Sequence, residues 1–309
     1  AVLIMNTCNR FDHVLVQRQW DELDLLYATH VAAVLGPCIG HASDGDGRRR
    51  KLQFADMKLL IGDGRYKLEG AFGFAFSGKQ ANSGSPPTCI HGQDPIHACK
   101  KLMNSIDVAT RDVKLGEHRV VLGHAVMVRD AFGIEEHGTY SRDPTRKDRQ
   151  NWETVQRLCK KKHIACLMKM CRTGAERTRG AAEYLKVMHR YISIFFSKKL
   201  TIIERVRSAS FVIHFMARWR MWVLKHEKGL KVADNFITDQ AYKDCVLSCH
   251  QVILVIMASR DFCPLTALAL DQLGSDCCES FFSNHGSWVQ NKRNYTCSQM
   301  VNNTTKILR

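Results

Sequence analysis

The chain has 309 residues, 45% of them hydrophobic and 24% charged, and its 45 Lys and Arg against 30 Asp and Glu leave a formal charge of +15. A chain of this make-up can bury one large or two smaller cores, and its charge favours polyanions, above all nucleic acid, over the acidic proteins and membrane surfaces that it could also serve. Thirteen cysteines without a CxxC pair exclude a disulfide-stapled scaffold and point to reduced thiols inside the cell, and the longest apolar run, Val252 to Ala258, is too short to span a bilayer.

In chain order, Ala1 to Met5 is a short β-prone run without the charged front of a signal peptide. Val14, Leu15, Leu23, Leu25, Leu26, Ala28, Val31, Ala32 and Leu35 predict a helix over about Asp12 to Leu35 with its apolar side on a sheet. Gly36 and Pro37 stop it, and Cys38 to Ala42 reads as a short buried strand ending in the acidic turn Ser43-Asp44-Gly45-Asp46-Gly47. Arg48 to Ile61 looks helical, Ala71 to Phe76 is a candidate strand, and Gly78 to Pro87 is an exposed loop. Ile90 to Pro95 is extended, and a helix restarts over His97 to Asp107 behind Pro95.

From Asn151 the pattern becomes almost wholly helical, with helices at Trp152 to Cys171, Glu183 to Phe196, Ile202 to Lys225 and Ala241 to Ala258, and a last one near Leu268 to Ser283. The expected architecture is therefore α/β: a mixed sheet interrupted by a helical insertion. The positive charge is densest between Tyr140 and Arg207, where Lys160, Lys161 and Lys162 form the tightest run, read either as a solvated face or as a nucleic-acid channel. Trp219 and Trp222, interleaved with Arg218 and Arg220, read as core aromatics beside snorkelling arginines in preference to base-stacking platforms. Cys245, Cys249 and His250 invite a zinc reading, but their spacing fits no common zinc template. The sequons at Asn294 and Asn302 are taken as chance.

Three segments carry candidate chemistry together. They are the acidic turn with Asp44 and Asp46 followed by Arg48, Arg49 and Arg50; Asp94-Pro95-Ile96-His97 with Lys100 and Asn104; and Asp276-Cys277-Cys278-Glu279 with Phe281 and Phe282. An acidic turn after a buried strand can hold a divalent cation, or it can simply cap the next helix. His97 and Lys100, three apart on one helical face, can share a phosphate, or they can be the polar start of a helix capped near Asp94. At about 100° per residue, Leu270, Leu273, Cys277 and Phe281 form an apolar stripe and leave Glu279 on the other side, as suits an acid facing a cleft or an ordinary exposed glutamate.

In this order and spacing the three segments resemble the RNase H-like catalytic cores of P-element and hAT transposases and of transposon-derived proteins related to them. Ser43-Asp44-Gly45 resembles the strand end that carries the second catalytic aspartate, with Asp44 preferred to Asp46. The segment from Asp94 through Lys100 to Asn104 looks like the P-element DPPHLIK...RN stretch, and Asp276 to Phe282 is similar to the helix bearing the catalytic glutamate. The resemblance spans roughly Asp12 to Tyr295.

The resemblance implies an RNase H-like mixed sheet over residues 1–150, incomplete at its N-terminus. It further implies a helical insertion over 151–264 and a C-terminal helix and tail over 265–309. It implies DNA as partner, a nuclear location, self-association, and Mg²⁺ or Mn²⁺ held by Asp44 and Glu279, with Asp46, Asp94, His97 and Asp276 nearby. Arg48, Arg49, Arg50, Lys100, Lys160, Lys161 and Lys162 would contact nucleic acid. Paired ions about 4 Å apart drive phosphoryl transfer in such cores. Too few residues precede the first helix here to hold the opening strand and its aspartate, so the chain is expected to be a truncated core that binds DNA without cutting it. The guanine-nucleotide site of P-element relatives is not carried over, because no GxxxxGK[ST] loop is present. The alternative of another class is a basic helical scaffold whose acids have no joint role.

Overall fold

The computed structural model describes residues 13–35, 40–43, 90–107, 110–140, 142–143, 148–226, 229–261 and 269–274. Two helices, α1 (His13–His30) and α2 (Ala32–Leu35), lead to strand β1 (Gly40–Ser43). Strand β2 (Ile90–Gln93) runs directly into α3 (Pro95–Ser105), and a two-residue hairpin follows, β3 (Lys114–Leu115) with β4 (His118–Arg119). The remaining helices are α4 (His124–Ala131), α5 (Ile134–His137), α6 (Trp152–Leu158), α7 (Lys161–Arg172), α8 (Arg179–Phe196), α9 (Ile202–Lys225), α10 (Val232–Asn235) and α11 (Asp239–Asp261). A 3₁₀ turn, Leu270–Gln272, closes the described part of the chain.

This architecture corrects the expected fold class: the protein is largely helical, and it is not a mixed RNase H-like sheet. Among the described residues the strands form only a parallel pair, β1 with β2, and the antiparallel β3–β4 hairpin. The physical reason is that the core is closed by helices. Leu102, Leu158, Leu185, Met188, Ile194, Val212, Met216, Val246 and Val252 are buried in one hydrophobic cluster built from α3, α6, α8, α9 and α11. An apolar run of seven residues such as Val252 to Ala258 serves a buried helix as well as a buried strand. The candidate strand at Ala71 to Phe76 and the helix at Arg48 to Ile61 lie outside the described residues.

Local chemistry explains the starts of α6 and α9. α9 begins with a capping box, in which Thr201 accepts from Glu204 N at 3.3 Å and Glu204 accepts from Thr201 N at 2.8 Å. α6 begins at Asn151, whose side chain accepts from Thr154 N at 2.8 Å. The helix expected over Trp152 to Cys171 is instead two helices broken at Cys159 and Lys160. Of the apolar positions expected to rest on a sheet, Leu25 is 67% exposed and Leu26 37%, so these two do not.

α11 is the spine of the molecule: it packs on β2, α3 and α9. Its length and composition would also suit a membrane crossing, yet 83% of the relevant window is buried inside the protein. Two polar side chains within it find internal partners. Asp244 pairs with Lys101 at 2.9 Å, and Ser248 shares a 2.6 Å hydrogen bond with the Tyr191 hydroxyl. Trp219, 4% exposed, donates its indole N–H to the Lys114 carbonyl, and Trp222 packs edge-on against His226. Trp219 is thus a core aromatic, as its sequence context implied.

Candidate functional site

The parallel register pairs Gly40 with Ile90 and Ser43 with Gln93, so β1 and β2 end at the same edge. β2 can lie close to α11 because Gly92 has no side chain: a Cβ there would sit on the Gln251 carboxamide, 1.8 Å from Cδ. At the end of β2 the chain turns into α3 through Asp94-Pro95. Pro95 fits the first helical position, where no backbone donor is needed, and Asp94 caps the exposed amides.

Asp94 is fully buried. Its Oδ1 accepts from Ile96 N at 2.7 Å and from His97 N at 3.0 Å, while Oδ2 lies 3.4 Å from His97 Nδ1. Gly274 packs against the same carboxylate, where a Cβ on it would be 3.1 Å from Oδ2. Three stretches far apart in sequence therefore meet at one strand edge: the end of β1 at Ser43, the Gln93-Asp94 corner, and Leu273-Gly274 beyond the last 3₁₀ turn.

The sequence-predicted residues divide accordingly. Asp44, Asp46, Arg48, Arg49, Arg50, Asp276 and Glu279 lie outside the described residues, as do Cys277 and Phe281. Asp94 is a helix cap whose Oδ1 already takes two backbone donors. His97 and Lys100 are half-buried on α3. Lys160, Lys161 and Lys162 are exposed but do not form one patch. Lys162 lies over Gly138 and donates to the Glu135 carbonyl at 3.3 Å, whereas Lys161 turns towards a groove lined by Lys199 and Arg207. Leu270 is buried and Leu273 packs on the core, so the apolar stripe begins as expected, although in a 3₁₀ turn.

The expected zinc alternative meets a core. Cys245, Cys249 and His250 are fully buried on α11. Burial, and then the hydrogen bond with Cys245, push the Cys249 thiol well above its ordinary range, and burial drives the His250 imidazole down to about 3. Among the described residues no group of three or more His, Cys, Asp and Glu is arranged to hold an ion. Asp94 and His97 by themselves do not fit a divalent-metal centre, since the buried Asp94 carboxylate is committed to the helix start. Donors for an ion at this edge would have to come from the flanking acids.

Sequence reasoning assigned no role to Gly274, which leads into the third candidate segment. The only signal was its place in Leu273-Gly274-Ser275, just ahead of the acidic segment.

No family model matches the sequence, and no curated protein matches it. Among solved structures, the fold is similar to that of the Drosophila P element transposase in its strand transfer complex, with a TM-score of 0.63 and 14% identity. The likeness covers 94% of this chain and 63% of that one, so the chain spans less than two thirds of its structural relative. The fold is transposase-like; the RNase H-like and hAT parts of the resemblance have no sequence family behind them.

Proposed function

We propose that the protein is a transposon-derived DNA-binding protein that gathers metal-binding acids at the Asp94 edge. The observation that carries this reading is the transposase-like fold, which extends over 94% of the chain. The formal charge of +15 is the right sign for a phosphate backbone.

The strand edge adds a covalent argument. Asp44 follows Ser43, which is paired with Gln93 next to Asp94, and Glu279 follows Gly274, which touches the Asp94 carboxylate, by five residues. Five residues reach at most about 18 Å when extended and about 7.5 Å when helical. Asp44 and Glu279 are thereby proposed to face a common space and to hold Mg²⁺ or Mn²⁺, with Asp46 and Asp276 beside them. When bound, such an ion would supply charge stabilisation at a scissile phosphate. The chain's own contribution is the edge: the cap at Asp94 fixes the turn and Gly274 allows the second segment to approach. DNA binding is the proposed activity.

Fluorescence anisotropy of the purified chain with labelled duplex and single-stranded DNA tests this reading. Affinity should fall about 10³-fold or more between about 50 and 200 mM salt as phosphate contacts release counterions. No binding, or binding indifferent to salt, contradicts DNA as partner. Metal-dependent cleavage abolished by Asp44→Ala and by Glu279→Ala would show that the acidic site is complete.

A further inference from the structure

The helical part of the molecule contains a second feature, remote in sequence from the acidic segments. Helices α7, α8 and α9 and the α8–α9 connection enclose an open cavity of about 710 Å³. Five cations line it: Lys161 at the start of α7, Lys186 and Arg190 on α8, Lys199 in the connection, and Arg207 on α9. The one acid among the described lining residues, Glu204, is turned back to cap α9, accepting from Thr201 N and Oγ1 at 2.8 Å each.

These cations are placed by the fold. Arg205, two residues before Arg207, points inward and donates to the carbonyls of Ile194 and Ser197, which fastens the connection and leaves Arg207 facing the cavity. The Arg190 guanidinium lies over the Phe211 ring at 4.2 Å. Lys186 pairs with Glu183 at 2.9 Å, but Lys161, Lys199 and Arg207 have no acidic side chain within 4.0 Å among the described residues. Ser197 and Ser208 add hydroxyls to the same wall, while Ser193 donates its own to the His189 carbonyl at 2.8 Å. Arginine, lysine and serine side chains around an open concavity are the donor set for phosphate oxygens.

The lining also says what the site does not read. Among the described residues its lining has no Phe, Tyr or Trp; its one ring is the His189 imidazole, whose Nδ1 is bonded to the Cys159 carbonyl at 2.9 Å, and its acid is engaged in the cap. A free nucleotide would find only the His189 ring for its base, whereas a polymer backbone needs only the phosphate contacts. We infer that this cavity is a sequence-independent docking site for the phosphodiester backbone of DNA, an inference that rests on the DNA-binding reading above and locates one of its contacts.

The test uses the full chain, a labelled duplex of about 30 base pairs and two triple variants of equal charge loss. One removes cavity cations, Lys161→Ala with Lys199→Ala and Arg207→Ala; the other removes exposed cations elsewhere, Arg18→Ala with Lys225→Ala and Lys231→Ala. All six side chains are solvent-exposed, and thermal melts verify that both variants fold. The cavity variant should bind at least about 10-fold more weakly and flatten the log–log salt slope by about 3, with the other variant within about threefold of the parent. Equal losses from both variants overturn the cavity while leaving DNA binding intact. ATP that binds the parent but not the cavity variant, with duplex affinity unchanged between them, would make the cavity a free-nucleotide site and overturn the inference. A parent chain that binds no DNA sinks both readings.

Discussion

Gly274 rests against the carboxylate of Asp94, close enough that a single added methyl would stand 3.1 Å from Oδ2. Asp94 cannot swing aside without giving up the bonds from Ile96 N and His97 N that start α3. The contact ties the last described turn of the chain to the end of β2.

Gly274→Ala should therefore destabilise the protein by about 1 kcal/mol and Gly274→Val by about 1–3 kcal/mol, as overpacking of a rigid contact does. Asp94→Ala should cost about 1 kcal/mol through the lost cap, and Asp94→Asn should recover most of it because the amide oxygen still accepts. Chemical denaturation midpoints at constant slope measure both. An unchanged midpoint for Gly274→Val would mean that Gly274 and Asp94 are not in contact.

The buried Asp143–Arg157 pair should behave differently from the surface pairs. Arg157 Nε donates to Asp143 Oδ2 at 2.7 Å and Nη2 to Oδ1 at 2.9 Å, with further bonds to the same carboxylate from Tyr140 N and the Thr154 hydroxyl. Burial acts to raise the Asp143 pKa, and the Arg157, Tyr140 and Thr154 hydrogen bonds outweigh it, so the carboxyl titrates below its ordinary value. Its stabilisation is present above the unfolded value and is lost as pH falls through the lower folded one. Arg157→Ala strands a buried carboxylate and should cost about 3–5 kcal/mol, whereas Lys186→Ala, which breaks an exposed pair, should cost under about 1 kcal/mol. Similar losses for the two in urea unfolding would contradict this ranking.

His163 is fully buried, and neither ring nitrogen has a hydrogen-bond partner among the described residues. Burial first, and then the charge of His137, push its pKa from 6.5 down to about 4, with Asp143 acting the other way. The unfolded chain takes up this proton before the folded one does. Stability is therefore unaffected by His163 above pH 6.5 and falls between 6.5 and about 4, by about 3 kcal/mol in all. His163→Leu should remove that part of the acid sensitivity and stay within about 1 kcal/mol of the parent at pH 7. An unaltered stability profile between pH 6.5 and 4 would show that His163 is not the titrating group.

Sequence was most readable where side chains write the boundary locally. α9 was legible at both ends because Thr201 and Glu204 form a capping box and Lys225 closes the last turn. The Asp94-Pro95 start of α3 was legible for the same reason, and the extended stretches expected at Cys38 to Ala42 and Ile90 to Pro95 overlap the strands Gly40–Ser43 and Ile90–Gln93. What sequence overstated was the sheet. Short apolar runs do not reveal whether their partners will be strands or helices, and here α8, α9 and α11 supply most of the core. The break at Cys159 and Lys160 carries neither Gly nor Pro, so nothing local announced it. Nor could one dimension show that Lys161, Arg190 and Arg207 share a cavity while Lys162 points elsewhere.

The central claim is that Asp44 and Glu279 are brought to the Asp94 edge and can share an ion. A crystal structure of the full chain grown with Mn²⁺, with anomalous scattering locating the metal, tests it most directly. The account expects Mn²⁺ within bonding distance of both carboxylates, whose oxygens then lie within about 8 Å of each other, the span that two ions about 4 Å apart with bonds of about 2 Å can bridge. Carboxylates farther apart than that, or Mn²⁺ bound only at unrelated surface acids, would contradict it.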